Sequence, residues 1–190
     1  YNVTIFSGNM PLYGDMSNRV RQVLRSAVPA IEVYSIDEAF LDLNGMDLNF
    51  DCFAKDLSYR CRRCTGIPVS VGVSHTKTLA KIAAKLCKQY PKLKGGCYMY
   101  RSEDIEKVLK KYPIEDVWGV GRRTAAKLHS LGVRSAYDFT LLDEKRVQYL
   151  FGIMGVRTWK ELRGVPAIKF EDVVAVSYTH LRAHETLRYL

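Results

Sequence analysis

The stretch Tyr34-Ser35-Ile36-Asp37-Glu38-Ala39-Phe40-Leu41-Asp42-Leu43 decides how the chain is read. With Ile31 and Val33 before it, the run is rich in β-branched, aromatic and aliphatic residues that suit a half-buried pleated surface. An adjacent Asp-Glu pair is costly inside such a surface, because like charges repel and each carboxylate loses hydration. A straight strand would send Asp37 and Glu38 to opposite faces. A tight bend at the pair lets both reach one cation, so a hairpin spanning 31–43 with its tip at Asp37-Glu38 is expected. Mg²⁺ would suit it, since that ion takes one or two carboxylates plus substrate phosphates. An exposed turn that happens to carry two acids fits the same residues.

Working outward, Met16, Val20, Val23, Leu24 and Ala27 recur at helical spacing and predict a helix within 10–28. Leu48, Phe53, Leu57 and Cys61 predict a second over 47–64, stopped by Gly66 and Pro68. Val69–Val73 and Cys97–Tyr100 read as strands, the latter following a Gly95-Gly96 turn. Between them, 77–88 is the clearest helix, with Leu79, Ile82, Ala83 and Leu86 on one stripe and Lys77, Lys81, Lys85 and Lys88 on another. The opening, Tyr1-Asn2-Val3-Thr4-Ile5-Phe6, reads as a strand caught in mid-domain rather than a signal peptide. After Glu103 strands give way to short helices near 103–110, 114–118, 122–130, 135–140, 143–150 and 155–162. The fold class is therefore α+β: a mixed or antiparallel sheet with helices on one face, followed by a small all-helical domain.

Composition narrows the function. At 47% apolar and 26% charged residues, the chain is that of an ordinary globular protein, and no apolar run is long enough to span a bilayer. From Lys77 to Arg134 there are fourteen Lys and Arg against five Asp and Glu, a surplus equal to the net +9 of the whole chain. A localised basic segment is the footprint of a polyanionic partner, although a solvated lysine face has the same look. Five cysteines with no framework spacing suit a reducing cytosol, and hence a cytoplasmic protein. Cys61-Arg62-Arg63-Cys64 lacks the second close pair that a zinc site needs.

Trp118-Gly119-Val120-Gly121-Arg122-Arg123 has the make-up of a tight turn running into a helix, with Trp118 read as a core residue. Gly119 and Gly121 allow close backbone approach, and the N–H groups of the following helix start can face a phosphate. With Arg122, Arg123 and the downstream Leu131-Gly132-Val133, it reads as a helix-hairpin-helix that holds a DNA backbone without reading its sequence, although a plain helix-to-helix turn fits the glycines alone.

Together these segments carry a resemblance. Tyr34–Leu43, the upstream Leu12-Tyr13-Gly14-Asp15-Met16-Ser17-Asn18-Arg19-Val20, and the downstream Gly66–Ser74, Thr76–Ala83 and Asp116–Arg123 are similar, in order, to the motifs of Y-family (translesion) DNA polymerases. Within that family they resemble the UmuC-type catalytic subunit of bacterial DNA polymerase V. The resemblance covers roughly Asn2 to Ala175. It implies nucleotidyl transfer to a primer 3′-hydroxyl, with two Mg²⁺ ions held partly by the catalytic, metal-binding pair Asp37 and Glu38. It implies that Lys88 reaches the incoming triphosphate and that Lys81 lies close to phosphate or DNA. Gly119, Val120, Gly121, Arg122 and Arg123 become the DNA-binding hairpin. Primer–template DNA and deoxynucleoside triphosphates are the implied partners, with accessory polymerase subunits and a sliding clamp for a full-length protein and no membrane.

The same resemblance divides the chain into a partial palm (1–106), a helical thumb (107–166), the start of a linker (167–175) and a tail (176–190). The palm is expected to lack the fingers and a first strand bearing another metal-binding Asp, so that this polypeptide by itself is inactive. Ser177-Tyr178-Thr179-His180-Leu181 matches the translation of a sequencing-library adaptor, and the tail is expected to be non-biological, which disposes of His180 and His184 as metal ligands. Two other readings stay open: a non-catalytic helix-hairpin-helix DNA-binding module, and a palm-like nucleotide cyclase.

Overall fold

The computed structural model describes residues 3–4 and 7–171. The expected opening strand falls partly, and the tail wholly, outside them. Helix α1 (Met10–Arg25) starts where the Asn9 side chain accepts the Leu12 N–H, filling one of the donors that a helix start leaves open. Strands β1 (Ala30–Val33) and β2 (Ala39–Asp42) pair antiparallel, Ala30 opposite Asp42 and Val33 opposite Ala39, leaving Tyr34–Glu38 as the tip. Helix α2 (Phe50–Thr65) is capped by Asn49 and ends at Gly66, whose φ of 77° suits only a residue without a side chain.

Strand β3 (Val71–Val73), helix α3 (Lys77–Gln89) and strand β4 (Gly96–Tyr98) form a βαβ unit with parallel strands, Val71 opposite Gly96. Two glycines let the helices close on this pair. A Cβ on Gly72 would lie 2.2 Å from the Ala80 carbonyl oxygen of α3, and one on Gly96 would lie 2.4 Å from the Lys55 nitrogen of α2. In this register the two glycines point oppositely, so α3 covers one face of the pair and α2 the other. Among the described residues the four strands form two separate two-stranded sheets.

Among the described residues four more helices follow: α4 (Ser102–Lys111), α5 (Arg122–Ser130), α6 (Ala136–Thr140) and α7 (Glu144–Leu162). A 3₁₀ turn (Ile114–Asp116) precedes α5. Helix α7 breaks at Gly152 (φ 65°, ψ −163°), where the sequence spacing also separates two helices. Helix α4 runs unbroken across residues 106 and 107. A single apolar core continues from Leu79, Ile82 and Met99 through Leu109, Ile114 and Leu128 to Trp159 and Leu162. The helical part is thus fused to α3 through shared side chains. None of the described helices is long and apolar enough to cross a membrane.

Candidate active site and nucleic-acid interface

The hairpin tip is built by its own backbone. Tyr34 and Ser35 both donate their N–H groups to the Glu38 carbonyl at 3.0 Å, closing the loop, and the Ser17 hydroxyl of α1 binds the Ile36 carbonyl. Ser35 Oγ donates to Asp37 Oδ1 at 2.6 Å. Asp37 and Glu38 are both exposed, at the bend of the hairpin where the cost of burying two like charges led them to be expected. The apolar alternation belongs to the strands, and the bend lifts the pair clear of them. Asp42, lower on β2, accepts both the N–H and the side-chain amide of Asn44, a local turn contact.

Lys81 of the α3 lysine stripe faces the tip, and the four lysines of the stripe differ in their surroundings. Lys77 Nζ lies 2.5 Å from Glu32 and also donates to the Lys169 carbonyl. Lys81 Nζ is 2.9 Å from both oxygens of Glu38. Lys85 pairs with Asp116 at 2.9 Å, and that hydrogen bond holds the Lys85 ammonium above its ordinary pKa. Lys88 is exposed and makes no ion pair among the described residues.

Lys81 also sits in an aromatic box, with its Nζ 4.7 Å from the Tyr34 ring centre, 5.1 Å from Trp118 and 5.8 Å from Phe40. Trp118 donates its indole N–H to the Tyr34 hydroxyl at 3.1 Å. Read from sequence as a core residue, Trp118 is instead half-buried and links the helical part to the hairpin, because its neighbours there are aromatic rings rather than aliphatic core.

A cleft of about 1760 Å³ gathers these groups, with Asp37, Glu38, Lys81, Lys88 and Trp118 on its walls. Strands β2 and β3, each paired on one side only among the described residues, also line it. Ser35 and Thr78 border it too; the Thr78 hydroxyl is buried and has no hydrogen-bond partner among the described residues.

The two carboxylates offer hard oxygen donors on an exposed tip, which fits an ion that keeps water or phosphate in its shell. Among the described residues no three His, Cys, Asp or Glu side chains converge as a closed metal site. The cysteine motif behaves likewise: Cys61 is buried, its thiol pushed up by that burial, while Cys64 is exposed, and all five cysteines are free.

The second group of expected residues lies elsewhere. Val120 donates its N–H to the Val117 carbonyl at 3.0 Å, and Gly119 takes a φ of 87°, making the tight turn that the two glycines predicted. Gly121 begins α5 with no side-chain cap, and Arg122 and Arg123 are exposed on its first turn. The helix start therefore presents open N–H groups beside two cations. The Thr158 hydroxyl of α7 backs the turn, 3.2 Å from where a Gly119 Cβ would stand.

Sequence reading missed Glu161. Only 1% exposed, its carboxylate accepts the Thr78 N–H at the start of α3, the Ala167 N–H at 2.8 Å and the Ile168 N–H. Glu32 does the same for the Glu171 N–H while holding Lys77. Residues 167–171 are thereby bound back along α3 and β1. Neither acid stands out in sequence, since each lies in an ordinary polar–apolar alternation.

The chain is similar to known proteins. Residues 1–85 match a family described as impB/mucB/samB, and residues 102–133 match the helix-hairpin-helix motif of the same family. Protein UmuC of Salmonella typhimurium is 39% identical over 173 residues, which are 90% of this chain and 41% of UmuC. A DinB family error-prone DNA polymerase from Sulfolobus solfataricus superposes with a TM-score of 0.71 at 26% identity, over 89% of this chain and 51% of that one. The insertion ternary complex of Dbh DNA polymerase gives 0.69 at 28% identity, over 85% and 47%. The chain thus spans under half the length of the curated relative.

Proposed function

Because the chain belongs to the impB/mucB/samB family, we propose that it carries part of the catalytic centre of a translesion DNA polymerase. That enzyme transfers a deoxynucleotide from its triphosphate to a primer 3′-hydroxyl. The observation that carries the reading is one cleft lined by both the Asp37-Glu38 tip and Lys88, which makes no ion pair among the described residues. Asp37 and Glu38 are the carboxylates that would hold a divalent cation such as Mg²⁺, which would supply charge neutralisation to the transferring phosphate. Lys88, exposed and without an acid partner among the described residues, would meet the triphosphate. The hairpin Gly119-Val120-Gly121 with Arg122 and Arg123 grips the duplex backbone through N–H groups and charge.

In this reading residues 1–106 serve as the palm part and 107–166 as the thumb part, joined by the shared core. Two carboxylates are a small donor set for a two-ion reaction, so this chain by itself should bind primer–template DNA without extending it. The test is a binding titration on a recessed-end duplex, run beside a primer-extension assay with all four triphosphates and Mg²⁺. Salt-sensitive binding without incorporation is expected. Templated incorporation would overturn the incomplete site, and absence of binding would overturn the thumb assignment. In a full-length relative, replacing the residue aligned with Asp37 by Asn should remove activity and leave DNA binding, which sets the polymerase apart from a binding module.

A further inference from the structure

We propose that Lys81 is a built-in counter-ion of the carboxylate pair, which must release Glu38 before a divalent cation can settle there. The proposal rests on the metal-binding reading of Asp37 and Glu38. Its basis is geometric. Both Glu38 oxygens lie 2.9 Å from Lys81 Nζ, so the ammonium uses the lone pairs that a metal ion would need. Mg²⁺ binds oxygen at about 2.0–2.1 Å, and an ion at either oxygen would stand close to that ammonium and be repelled by it. The pair and the metal are therefore alternatives.

The box explains how the exchange is possible without ejecting the lysine. The rings of Tyr34, Trp118 and Phe40 already hold the ammonium by their faces. When Glu38 turns away, Lys81 keeps that seat, and only the carboxylate moves. Lys77 and Lys85 have no such role, because their partners Glu32 and Asp116 are not at the tip. Trp118 comes from the turn that leads into the hairpin, so the box also joins the metal site to the proposed DNA grip through the Trp118–Tyr34 hydrogen bond.

The test is a Mn²⁺ titration of the full chain, with free Mn²⁺ counted by electron paramagnetic resonance. Lys81→Met keeps length and apolar fill in the box but removes the charge; Lys81→Arg keeps the charge. Lys81→Met should bind Mn²⁺ roughly three- to tenfold more tightly than the unmodified chain, an estimate for removing one partly screened cation. Lys81→Arg should match the unmodified chain, and Asp37→Asn should abolish the site in both backgrounds. A misfolded variant would lose affinity, so a gain cannot come from damage. Equal affinity for Lys81→Met and the unmodified chain, with Asp37→Asn still abolishing binding, would overturn the counter-ion role and leave the metal site standing. A gain in Lys81→Arg as large as in Lys81→Met would also overturn it. Absence of Asp37-dependent binding in every variant would overturn both readings.

Discussion

The carboxylate of Glu161, near the end of α7, accepts the backbone N–H of Thr78, in the first turn of α3, at 3.0 Å across 83 residues of sequence. Its other oxygen holds Ala167 and Ile168, and its own carbonyl accepts the Thr76 hydroxyl at 2.9 Å. One buried acid therefore fixes the lysine-bearing helix, the last helix and the segment that follows it.

Removing that acid should be costly. Glu161→Ala leaves three N–H groups without their acceptor, and a loss of about 3 kcal/mol is expected. Glu161→Gln keeps one carbonyl oxygen but turns an NH₂ toward N–H donors, so its loss should be smaller yet clear. Urea unfolding of the three proteins measures this, and a loss below about 1 kcal/mol for Glu161→Ala would contradict the clasp.

Two glycines should answer oppositely to alanine. At Gly72 the new methyl would meet the α3 main chain at 2.2 Å and 2.3 Å, and backbone cannot step aside as a side chain can. Gly72→Ala should cost about 2–3 kcal/mol. Gly14, inside α1, has nothing within 4 Å of its Cβ position, so Gly14→Ala should stabilise by about 0.5–1 kcal/mol. Thermal unfolding of both variants tests the contrast through its sign.

On the proposed DNA face, Arg122→Ala and Arg123→Ala should each weaken duplex binding similarly across sequences. Each should reduce the slope of log affinity against log salt by about one. Lys127, also on α5, spends its ammonium on the Leu150 carbonyl at 2.9 Å, and Lys127→Ala should leave that slope nearly unchanged. Fluorescence anisotropy at several salt concentrations gives all three slopes.

Helix α6 carries a pH dependence of its own. Ser135 and Asp138 form a capping box, and the Ser135 and Arg134 N–H groups hold the Asp138 carboxyl below its ordinary value. The carboxylate form is the one stabilised, so this contribution is complete above the unfolded-state value near pH ~4. It fades as pH falls through the lower folded value. Asp138→Asn should lose about 1 kcal/mol at neutral pH and show a flatter stability profile below pH ~4. Denaturation midpoints from pH ~2.5 to 7 would reveal an unchanged slope if the box were unimportant.

Much of the local structure was legible because its causes are local. The apolar stripe of Leu79, Ile82 and Ala83 sets α3, Gly66 ends α2, and Gly119 with Gly121 sets the turn before α5. Gly152 separates two helical runs, as the spacing indicated. Other features depend on partners far away in the chain. Trp118 looks like core in a sequence, yet its neighbours are Tyr34, Phe40 and Lys81.

The sequence by itself determined the elements, the basic helix stripe and the family that the chain belongs to, because periodicity, turn residues and motif order are properties of neighbours along the chain. Only the tertiary structure decided which cation meets which acid. Lys77, Lys81, Lys85 and Lys88 are equivalent on one helix face, and the fold differentiates them by bringing Glu32, Glu38 and Asp116 to the first three and, among the described residues, no acid to the last. Charge pairing falls off within a few ångströms in water, so it is set by contact across the folded chain and not by the order of residues along it.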